Sequence, residues 1–530
     1  MLTEIAAPLA IAILTIWSIR AQIRSRQHAN NALRLGCKPP PKYPIEGSNP
    51  LGVAVLREFY KADKVSEVEE VTRRQLNRLS EKHGREVTTF KINMLGDETI
   101  VTADEDNIHA VLVSQFGDFE LGPYRCEGFR PLLGEGIFAT DGPKWAHSRA
   151  MLKPQFTRTQ MSDLALEERH ITHLMQSLPV DSDGWTSHPD FRALFHHYTL
   201  DSAMEMLLGV TPETKGFSHG MNGEVDWERL THCVDLSLSM IATRLLLGPL
   251  YWVYDTREFR RCRDEVFGFV DRCVTSALEV VKEKGGEREG QEEESSRYIL
   301  LHALAKETQD PIELREQMLN VLLAGRDTTA AFLSYLVLLL ARHPRVYAKL
   351  REEVLSKFGT STSTTLKHQE ITFYTLRSCT YLQQTLSETA RLYPLVPATK
   401  RNAAVNTTLP RGGGPDGLSP IYIRKGQDIV YDTHTLHRSK RIWGDDAEEF
   451  VPERWEGWKV GREYIPFSAG PRICVGQQLA LTKAAYFAVR LVQRFDRLED
   501  LNKDKKIRCK VSLGNSPADP VALRLREARD

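Results

Sequence analysis

The chain lacks an excess of charge of either sign. Its 530 residues carry 70 Lys and Arg against 70 Asp and Glu, and no basic stripe interleaved with aromatic residues is visible. Nucleic-acid binding requires a positively charged surface that meets the phosphates. We therefore do not expect a nucleic-acid partner, while the length leaves ample material for a large core.

The sequence also lacks internal repeats and clustered cysteines. It has no C-x-x-C pair and no His/Cys cluster at zinc spacing, which argues against a structural zinc site and indicates a reducing compartment. The eight cysteines are widely separated: Cys37, Cys126, Cys233, Cys262, Cys273, Cys379, Cys474 and Cys509.

One apolar run stands near the N-terminus. Residues Ile5–Ile19 are apolar apart from Thr15 and Ser18, and as a helix they would cover ~22 Å of a ~30 Å hydrocarbon core. Arginines follow the run from Arg20 onward, whereas a cleaved signal peptide has its charges in front. This order favours an uncleaved single-pass anchor in the endoplasmic reticulum membrane, with the rest of the chain on the cytosolic side.

The predicted division of the chain follows from this anchor. Residues 1–36 form the anchor and its basic flank, residues 37–44 a Pro-rich extended linker, and residues 45–530 a cytosolic catalytic domain. The periodicity of this domain predicts mostly α-helix with small β-sheets, an α+β class. It includes a helix over about 65–82 and a hairpin with strands over 87–93 and 99–102.

The strongest predicted helix begins at Asp310-Pro311, an N-cap followed by proline, and stops at His343-Pro344. Its middle reads Leu322-Leu323-Ala324-Gly325-Arg326-Asp327-Thr328-Thr329-Ala330. Glycine loses ~1 kcal/mol against alanine in a helix interior, and threonine can loosen the helix by bonding to the preceding turn. The pattern is typical either of a close helix crossing or of a local opening that admits a ligand beside a hydroxyl and a carboxylate.

Two further segments stand out near the C-terminus. In Phe467-Ser468-Ala469-Gly470-Pro471-Arg472-Ile473-Cys474-Val475-Gly476, one cysteine lies among glycines whose flexibility lets amide groups point at the sulfur and favour a thiolate. Glu388 and Arg391 share a helical face at i, i+3. Alone, an isolated cysteine is more often an inert core residue, and such an ion pair more often a surface pair.

Together and in this order, these segments resemble the cytochrome P450 superfamily. The signature F-x-x-G-x-R-x-C-x-G is met by Phe467, Gly470, Arg472, Cys474 and Gly476, and A-G-x-D-T-T by Ala324, Gly325, Asp327, Thr328 and Thr329. The remaining matches are E-x-x-R at Glu388 and Arg391 with its third member Arg454, W-x-x-x-R at Trp145 and Arg149, and P-x-x-x-R at Pro397 and Arg401. The resemblance covers everything from about Tyr43 onward.

The resemblance implies a heme b (iron protoporphyrin IX) monooxygenase. Cys474 would be the proximal thiolate ligand of the iron, and Thr328 with Asp327 would relay protons during oxygen activation. Glu388, Arg391 and Arg454 would form a buried structural ion network. The heme propionates and the cysteine loop would be held by Trp145, Arg149, Arg401, Phe467, Gly470, Arg472 and Gly476.

The implied partners are dioxygen, NADPH-cytochrome reductase with cytochrome b5 as a second donor, and a lipophilic substrate that enters from the membrane. Several stretches, among them Leu132–Gly142 and Thr407–Gly417, are similar to the fungal alkane- and fatty-acid-hydroxylating group. The similarity predicts terminal hydroxylation of long chains. A fungal monooxygenase acting on a terpenoid, polyketide or aromatic compound is the alternative.

Three other classes are less compatible with the residues. A heme-thiolate isomerase or dehydratase often lacks the threonine that is present here as Thr328. A heme sensor or carrier has no need of the Thr328–Asp327 pair. A membrane-tethered helical scaffold without heme would make the Cys474 motif accidental.

Overall fold

Helices dominate the chain, as predicted, and four small sheets accompany them among the described residues. The computed structural model describes residues 2–44, 52–94, 96–156, 164–210, 225–284, 298–360 and 369–529. The chain divides into two units. The first comprises Met1–Tyr60, Val71–Glu120 and Thr399–Asp432, and the second comprises Lys61–Glu70, Leu121–Ala398 and Thr433–Asp530.

The described α-helices are Leu2–Arg34, Val53–Lys64, Val71–His83, Glu105–His109, Pro123–Leu133, Gly142–Leu152, Ala165–Gln176, Phe191–Leu208, Trp227–Leu247, Arg257–Lys284, Leu300–Ala305, Pro311–Arg342, Pro344–Phe358, Phe373–Arg377, Thr380–Leu392, Thr433–Leu436, Lys440–Trp443 and Gln477–Arg494. The strands are β1 Lys42–Tyr43, β2 Thr89–Met94, β3 Asp97–Thr102, β4 Phe119–Glu120, β5 Trp185–His188, β6 Ala398–Ala403, β7 Thr407–Gly413, β8 Ser419–Ile423, β9 Asp428–Asp432, β10 Phe495–Asp500, β11 Cys509–Val511, β12 Asn515–Pro517 and β13 Leu523–Glu527.

The first unit is built on a six-stranded sheet in the order β1-β2-β3-β9-β6-β4. The predicted hairpin is β2 and β3, which pair antiparallel from Thr89 opposite Thr102 to Met94 opposite Asp97. Alternation along these strands buries Phe90 and Ile92 in the core of the unit. At the edge, β1 pairs parallel with β2, so the extended Pro-rich stretch ends hydrogen-bonded to this sheet.

The second unit is organised around the helix Pro311–Arg342, which we call the central helix. It begins and ends where the sequence predicts, because Asp310 accepts hydrogen bonds from the amides of Ile312 and Glu313 and Pro344 follows its end. Its C-terminal half is buried from Thr329 to Ala341. It packs most extensively against the helix Phe191–Leu208.

Two boundaries differ from prediction. The helix expected over 65–82 begins only at Val71, because Ser66 adopts a left-handed conformation (φ 55°) and Val68–Glu70 is a 3-10 turn. The sequence also predicts a loop over 120–138 that shapes the substrate pocket. This segment instead contains the helix Pro123–Leu133, which begins after Gly122 (φ 87°) with a proline at its first position. The glycine pair at 285–286 and the acidic stretch that follows to 294 predict a solvated loop, which lies outside the described residues.

Two of the described helical segments, Trp227–Val253 and Pro311–Arg342, are long and apolar enough to cross a membrane. The second is the central helix, and its apolar window is mostly buried, as in the core of a soluble domain. The N-terminal apolar run lies in the helix Leu2–Arg34, which is not among these candidates. The membrane anchor stays a prediction.

Candidate active site

The cysteine loop closes on itself before the helix Gln477–Arg494. Two residues in left-handed conformation, Ser468 (φ 64°) and Gly470 (φ 68°), turn the backbone. The turn lets the Cys474 amide donate to the Phe467 carbonyl at 3.0 Å. Gly476 is the N-cap of the following helix, so the sulfur lies beside a helix N-terminus, where partial positive charge favours an anion.

The Cys474 side chain has an unusual combination of surroundings. Burial raises the pKa of its thiol, while the Gly476 amide, which hydrogen-bonds to the sulfur, and the nearby Arg149 charge act in the opposite direction. Yet the residue is exposed by its accessible surface. The burial and the exposure agree if protein surrounds most of the sulfur while one side of it borders an open space. A sulfur that ligates a large bound group needs such an open side.

Next to this loop lie three residues of the helix Gly142–Leu152 and its N-cap: Asp141, Trp145 and Arg149. Arg149 donates to the Ile473 carbonyl at 3.0 Å. The Arg472 guanidinium stacks on Trp145 at 4.4 Å and pairs with Asp141 at 2.6 Å. The structure therefore brings Trp145, Arg149, Arg472 and Cys474 together, while their contacts with heme stay a prediction.

Arg401, the remaining predicted propionate ligand, lies in the first unit on β6. It is buried, its Nη1 donates to the Lys400 carbonyl at 3.0 Å, and its guanidinium lies over Tyr431 at 5.7 Å. Its role at the heme stays a prediction.

The middle of the central helix borders open space. Gly325 is exposed although Leu322 and Arg326 beside it are buried, and a Cβ added to Gly325 would meet nothing within 4 Å. Thr328 Oγ1 donates to the Ala324 carbonyl at 2.6 Å. This bond occupies the hydroxyl proton but leaves lone pairs that can accept a hydrogen bond.

Asp327 carries a negative charge next to that space. Burial raises its pKa, but the nearby side chains of His196 and Arg326 outweigh burial, so the pKa of the carboxyl lies below its ordinary value. The pair Thr328 and Asp327 thus combines an oxygen that can accept and donate with a carboxylate that is ionised at neutral pH.

Comparison with known proteins agrees with the motifs. A family model described as Cytochrome P450 matches residues 64–521. The chain belongs to the cytochrome P450 family. Cytochrome P450 monooxygenase g430 of Fusarium sp is 43% identical over 511 residues, which cover 95% of this chain and 87% of the relative.

Two other relatives illustrate the range of similarity. Cytochrome P450 monooxygenase alt2 of Alternaria solani is 38% identical over 518 residues, 94% of this chain and 93% of the relative. Cytochrome P450 52A1 of Candida tropicalis is 45% identical over 426 residues, 78% of this chain and 75% of the relative.

This P450 is accordingly a monooxygenase that carries heme b, consumes dioxygen and receives electrons from a reductase partner. The described residues fit the cofactor. The accessible residue Cys474 lies beside Arg149, Arg472 and Trp145. In the central helix, Gly325 leaves room for a large flat group.

The predicted ion network is confirmed in this P450. Glu388 and Arg391 are fully buried and joined by two hydrogen bonds of 2.8 Å. Arg454 donates to Glu388 at 3.1 Å, and Trp455 donates to the second oxygen of the same carboxylate at 3.0 Å. The charges are thus paired and hydrogen-bonded, as buried charges must be.

Sequence reasoning missed three residues. Asp141 holds Arg472, and His196 contacts Asp327 at 3.5 Å. His437 accepts from the Ile465 amide at 3.0 Å, and burial lowers its pKa well below the ordinary value, so it is a neutral part of the core below the cysteine loop. Asp141 precedes the matched W-x-x-x-R by only four residues and could have been noticed. No sequence signal joins His196 to Asp327.

Proposed function

We propose that Cys474 ligates the heme iron of this monooxygenase and that Arg149, Trp145, Arg472 and Arg401 hold the propionates. The accessible yet enclosed Cys474 sulfur carries this proposal. A planar guanidinium can hold a carboxylate with two parallel hydrogen bonds, and tryptophan adds a further donor. Phe467, Gly470 and Gly476 shape the loop that presents the sulfur.

The heme, when bound, supplies the oxygen activation, and the thiolate ligand favours O–O cleavage. The chain's own contribution on the substrate side is proton transfer. Thr328 Oγ1 accepts a hydrogen bond and passes its proton onward, and Asp327, once it has taken up a proton that originates in solvent, supplies the next proton. Gly325 leaves the space in which substrate and dioxygen meet these groups.

The cysteine assignment is tested with Cys474→Ser. A thiolate-ligated heme gives a strongly red-shifted absorbance band when reduced and bound to CO, and we expect this band to vanish. Cys37→Ser, at a buried cysteine of the first unit, should keep it. An unchanged band in Cys474→Ser would contradict the assignment.

The proton relay is tested with Thr328→Ala. We expect normal heme binding but a lower ratio of product to NADPH consumed, with more hydrogen peroxide released, because the hydroxyl that holds and passes protons is gone. Thr328→Ser retains a hydroxyl and is the matched control. Equal product yield in Thr328→Ala and the wild type would count against the relay.

The substrate we propose is a long-chain alkane or fatty acid, hydroxylated at its terminal carbon. The support is the similarity of stretches such as Leu132–Gly142 to that fungal group, together with the identity to the 52A relatives from Candida. A second candidate is a terpenoid, polyketide or aromatic substrate of fungal secondary metabolism. The Fusarium and Alternaria relatives are named only as cytochrome P450 monooxygenases, so similarity to them does not decide between the two candidates.

A substrate panel separates the two candidates. The purified protein is reconstituted with NADPH-cytochrome reductase, with and without cytochrome b5, and supplied with alkanes, fatty acids and ring compounds. We expect products oxidised at the chain terminus. Oxidation of the ring compounds alone would overturn the chain-hydroxylase proposal and favour the second candidate.

We further propose that the N-terminal helix anchors the protein in the endoplasmic reticulum membrane, with the catalytic residues on the cytosolic side. The apolar run Ile5–Ile19 and the arginines after it support this arrangement. A lipophilic substrate concentrated in the bilayer would then lie close to the enzyme.

A further inference from the structure

Two basic side chains meet the Asp327 carboxylate at the same oxygen. His196 Nδ1 lies 3.5 Å from Asp327 Oδ1, and Arg326 Nη1 lies 3.6 Å from it. His196 comes from the helix Phe191–Leu208, which packs along the central helix. Each of them stabilises the carboxylate when it carries a proton, but the two differ in whether they can pass that proton on.

Arg326 can hold charge but cannot transfer protons. An arginine guanidinium stays protonated in proteins, and this one is almost fully buried and tied to Asp235 at 2.5 Å. Asp235 is the exposed end of that branch, with 56% of its side chain accessible. The branch Asp235–Arg326–Asp327 therefore fixes the carboxylate and its charge without forming a path from solvent.

His196 has the properties that Arg326 lacks. The two ring nitrogens of histidine can accept and donate a proton, and 30% of this side chain is accessible, so it can exchange protons with water. Its buried Nδ1 has no hydrogen-bond partner among the described residues. Its recorded neighbour is Asp327, at a distance that a small ring movement would shorten to a hydrogen bond.

We propose that His196 takes protons from solvent and delivers them to Asp327. In this step a hydronium ion protonates Nε2 of the neutral imidazole and becomes water, the Nδ1–H bond of the imidazolium breaks, and an O–H bond forms at Asp327 Oδ1. Proton exchange with solvent then returns the imidazole to its Nδ1–H tautomer. His196 is thus a positioning and relay residue that acts through Asp327. The inference rests on the proposed role of Asp327.

Among the described residues, the charged groups in contact with this pair lie on two further helices. Arg326 and Asp327 face it from the central helix, and Asp235 follows from the helix Trp227–Leu247. On the same helix as His196, the next residue, His197, is exposed. His197 is therefore a matched control for adding or removing an imidazole without touching Asp327.

The test uses the full-length heme-loaded protein with reductase. The ratio of product to NADPH consumed is measured from about pH 6 to pH 8.5 for wild type, His196→Gln, His196→Lys and His197→Gln. We expect His196→Gln to lower the ratio roughly tenfold, below the usual contribution of a direct acid because water can partly replace a relay. Its pH dependence in the histidine range should flatten, and His197→Gln should match wild type.

His196→Lys separates proton transfer from charge, because lysine keeps a cation near Asp327 that does not titrate near neutral pH. We expect it to leave the ratio low. Full recovery in His196→Lys would show that charge alone matters and would overturn the proposal, as would a wild-type ratio and pH profile in His196→Gln. If His196→Gln does not incorporate heme, His196→Asn replaces it with the same criteria.

A second readout is independent of turnover. The carboxylate infrared band that Asp327→Asn removes is titrated in wild type and His196→Gln, and we expect Asp327 to protonate at higher pH in the variant because a favourable contact is lost. An unchanged titration would contradict the contact. If Asp327→Asn itself retains the wild-type product ratio, the proposed role of Asp327 fails, whatever the result for His196.

Discussion

The Arg472 guanidinium illustrates how one carboxylate can prepare a binding residue. Its side chain is 9% accessible and forms an ion pair with Asp141, which also accepts from the Leu121 amide at 3.0 Å through each of its oxygens. Asp141 thus holds the Arg472 side chain in place and is itself held by its hydrogen bonds to the Leu121 amide. A propionate binding at Arg472 would meet a guanidinium whose direction is already set.

We predict that Asp141→Asn destabilises the heme-free protein more than the heme-loaded protein. Loss of one partner of a buried ion pair costs about 3–5 kcal/mol, but a bound propionate would replace the lost charge. The urea midpoint of each form gives the comparison. Equal losses in both forms would show that Arg472 does not contact the cofactor.

Glu69 is a second buried carboxyl, in the 3-10 turn Val68–Glu70. It is 7% accessible, and one of its oxygens has no hydrogen-bond partner among the described residues. Burial raises its pKa from 4.5 to about 7. The folded state therefore retains a proton that the unfolded chain releases near pH 4.5.

The sign of the pH effect follows from this difference. The contribution of Glu69 to the free energy of unfolding is fully present below pH 4.5 and is lost as the pH rises through about 7. We predict that Glu69→Gln leaves stability unchanged at pH 4 and raises it at pH 8, by at most about 3 kcal/mol. Urea unfolding at both pH values tests this, and a loss at pH 8 would contradict it.

At the scale of the elements, the helix Thr380–Leu392 is attached through its charged residues. Arg391 Nη1 donates to the carbonyls of His437 and Ala447, both at 2.7 Å. Its guanidinium also lies over Trp443 at 5.1 Å. Glu388 and Arg391 therefore connect this helix to the chain segment that leads into the cysteine loop.

We predict that Glu388→Gln lowers the free energy of unfolding by about 3–5 kcal/mol, because Arg391 and Arg454 would stay buried without their common anion. Lys349→Gln, which breaks the half-exposed pair with Glu453, should cost less than about 1 kcal/mol. Chemical unfolding of both variants tests the contrast. Similar losses would show that the network is no stronger than a surface pair.

The sequence specified some elements well because their signals are local. Asp310-Pro311 and His343-Pro344 bound the central helix through capping and proline geometry, and strand alternation located β2 and β3. The partners of Asp327 could not be predicted in this way. His196 lies 131 positions earlier in the chain, and only the packing of two helices brings it to the carboxylate. Similarly, Ser66 delays the helix at Val71 through a backbone conformation for which serine gives no clear signal.

For the whole molecule, the proposed anchor predicts a separable membrane function. A variant lacking residues 2–20 should lose binding to lipid vesicles because the apolar run is removed. It should retain the red-shifted CO band, since the cysteine loop lies in the second unit. Vesicle flotation and absorbance measure the two properties. Undiminished vesicle binding would place the membrane contact elsewhere in the chain.

The glycine in the middle of the central helix has an evolutionary consequence. Alanine at position 325 would improve helix propensity by about 1 kcal/mol and meet no atom within 4 Å. Selection for thermostability alone should therefore favour Gly325→Ala. The added methyl group would reduce the volume in which a substrate can turn. Glycine at this position thus exchanges helix stability for space beside Thr328.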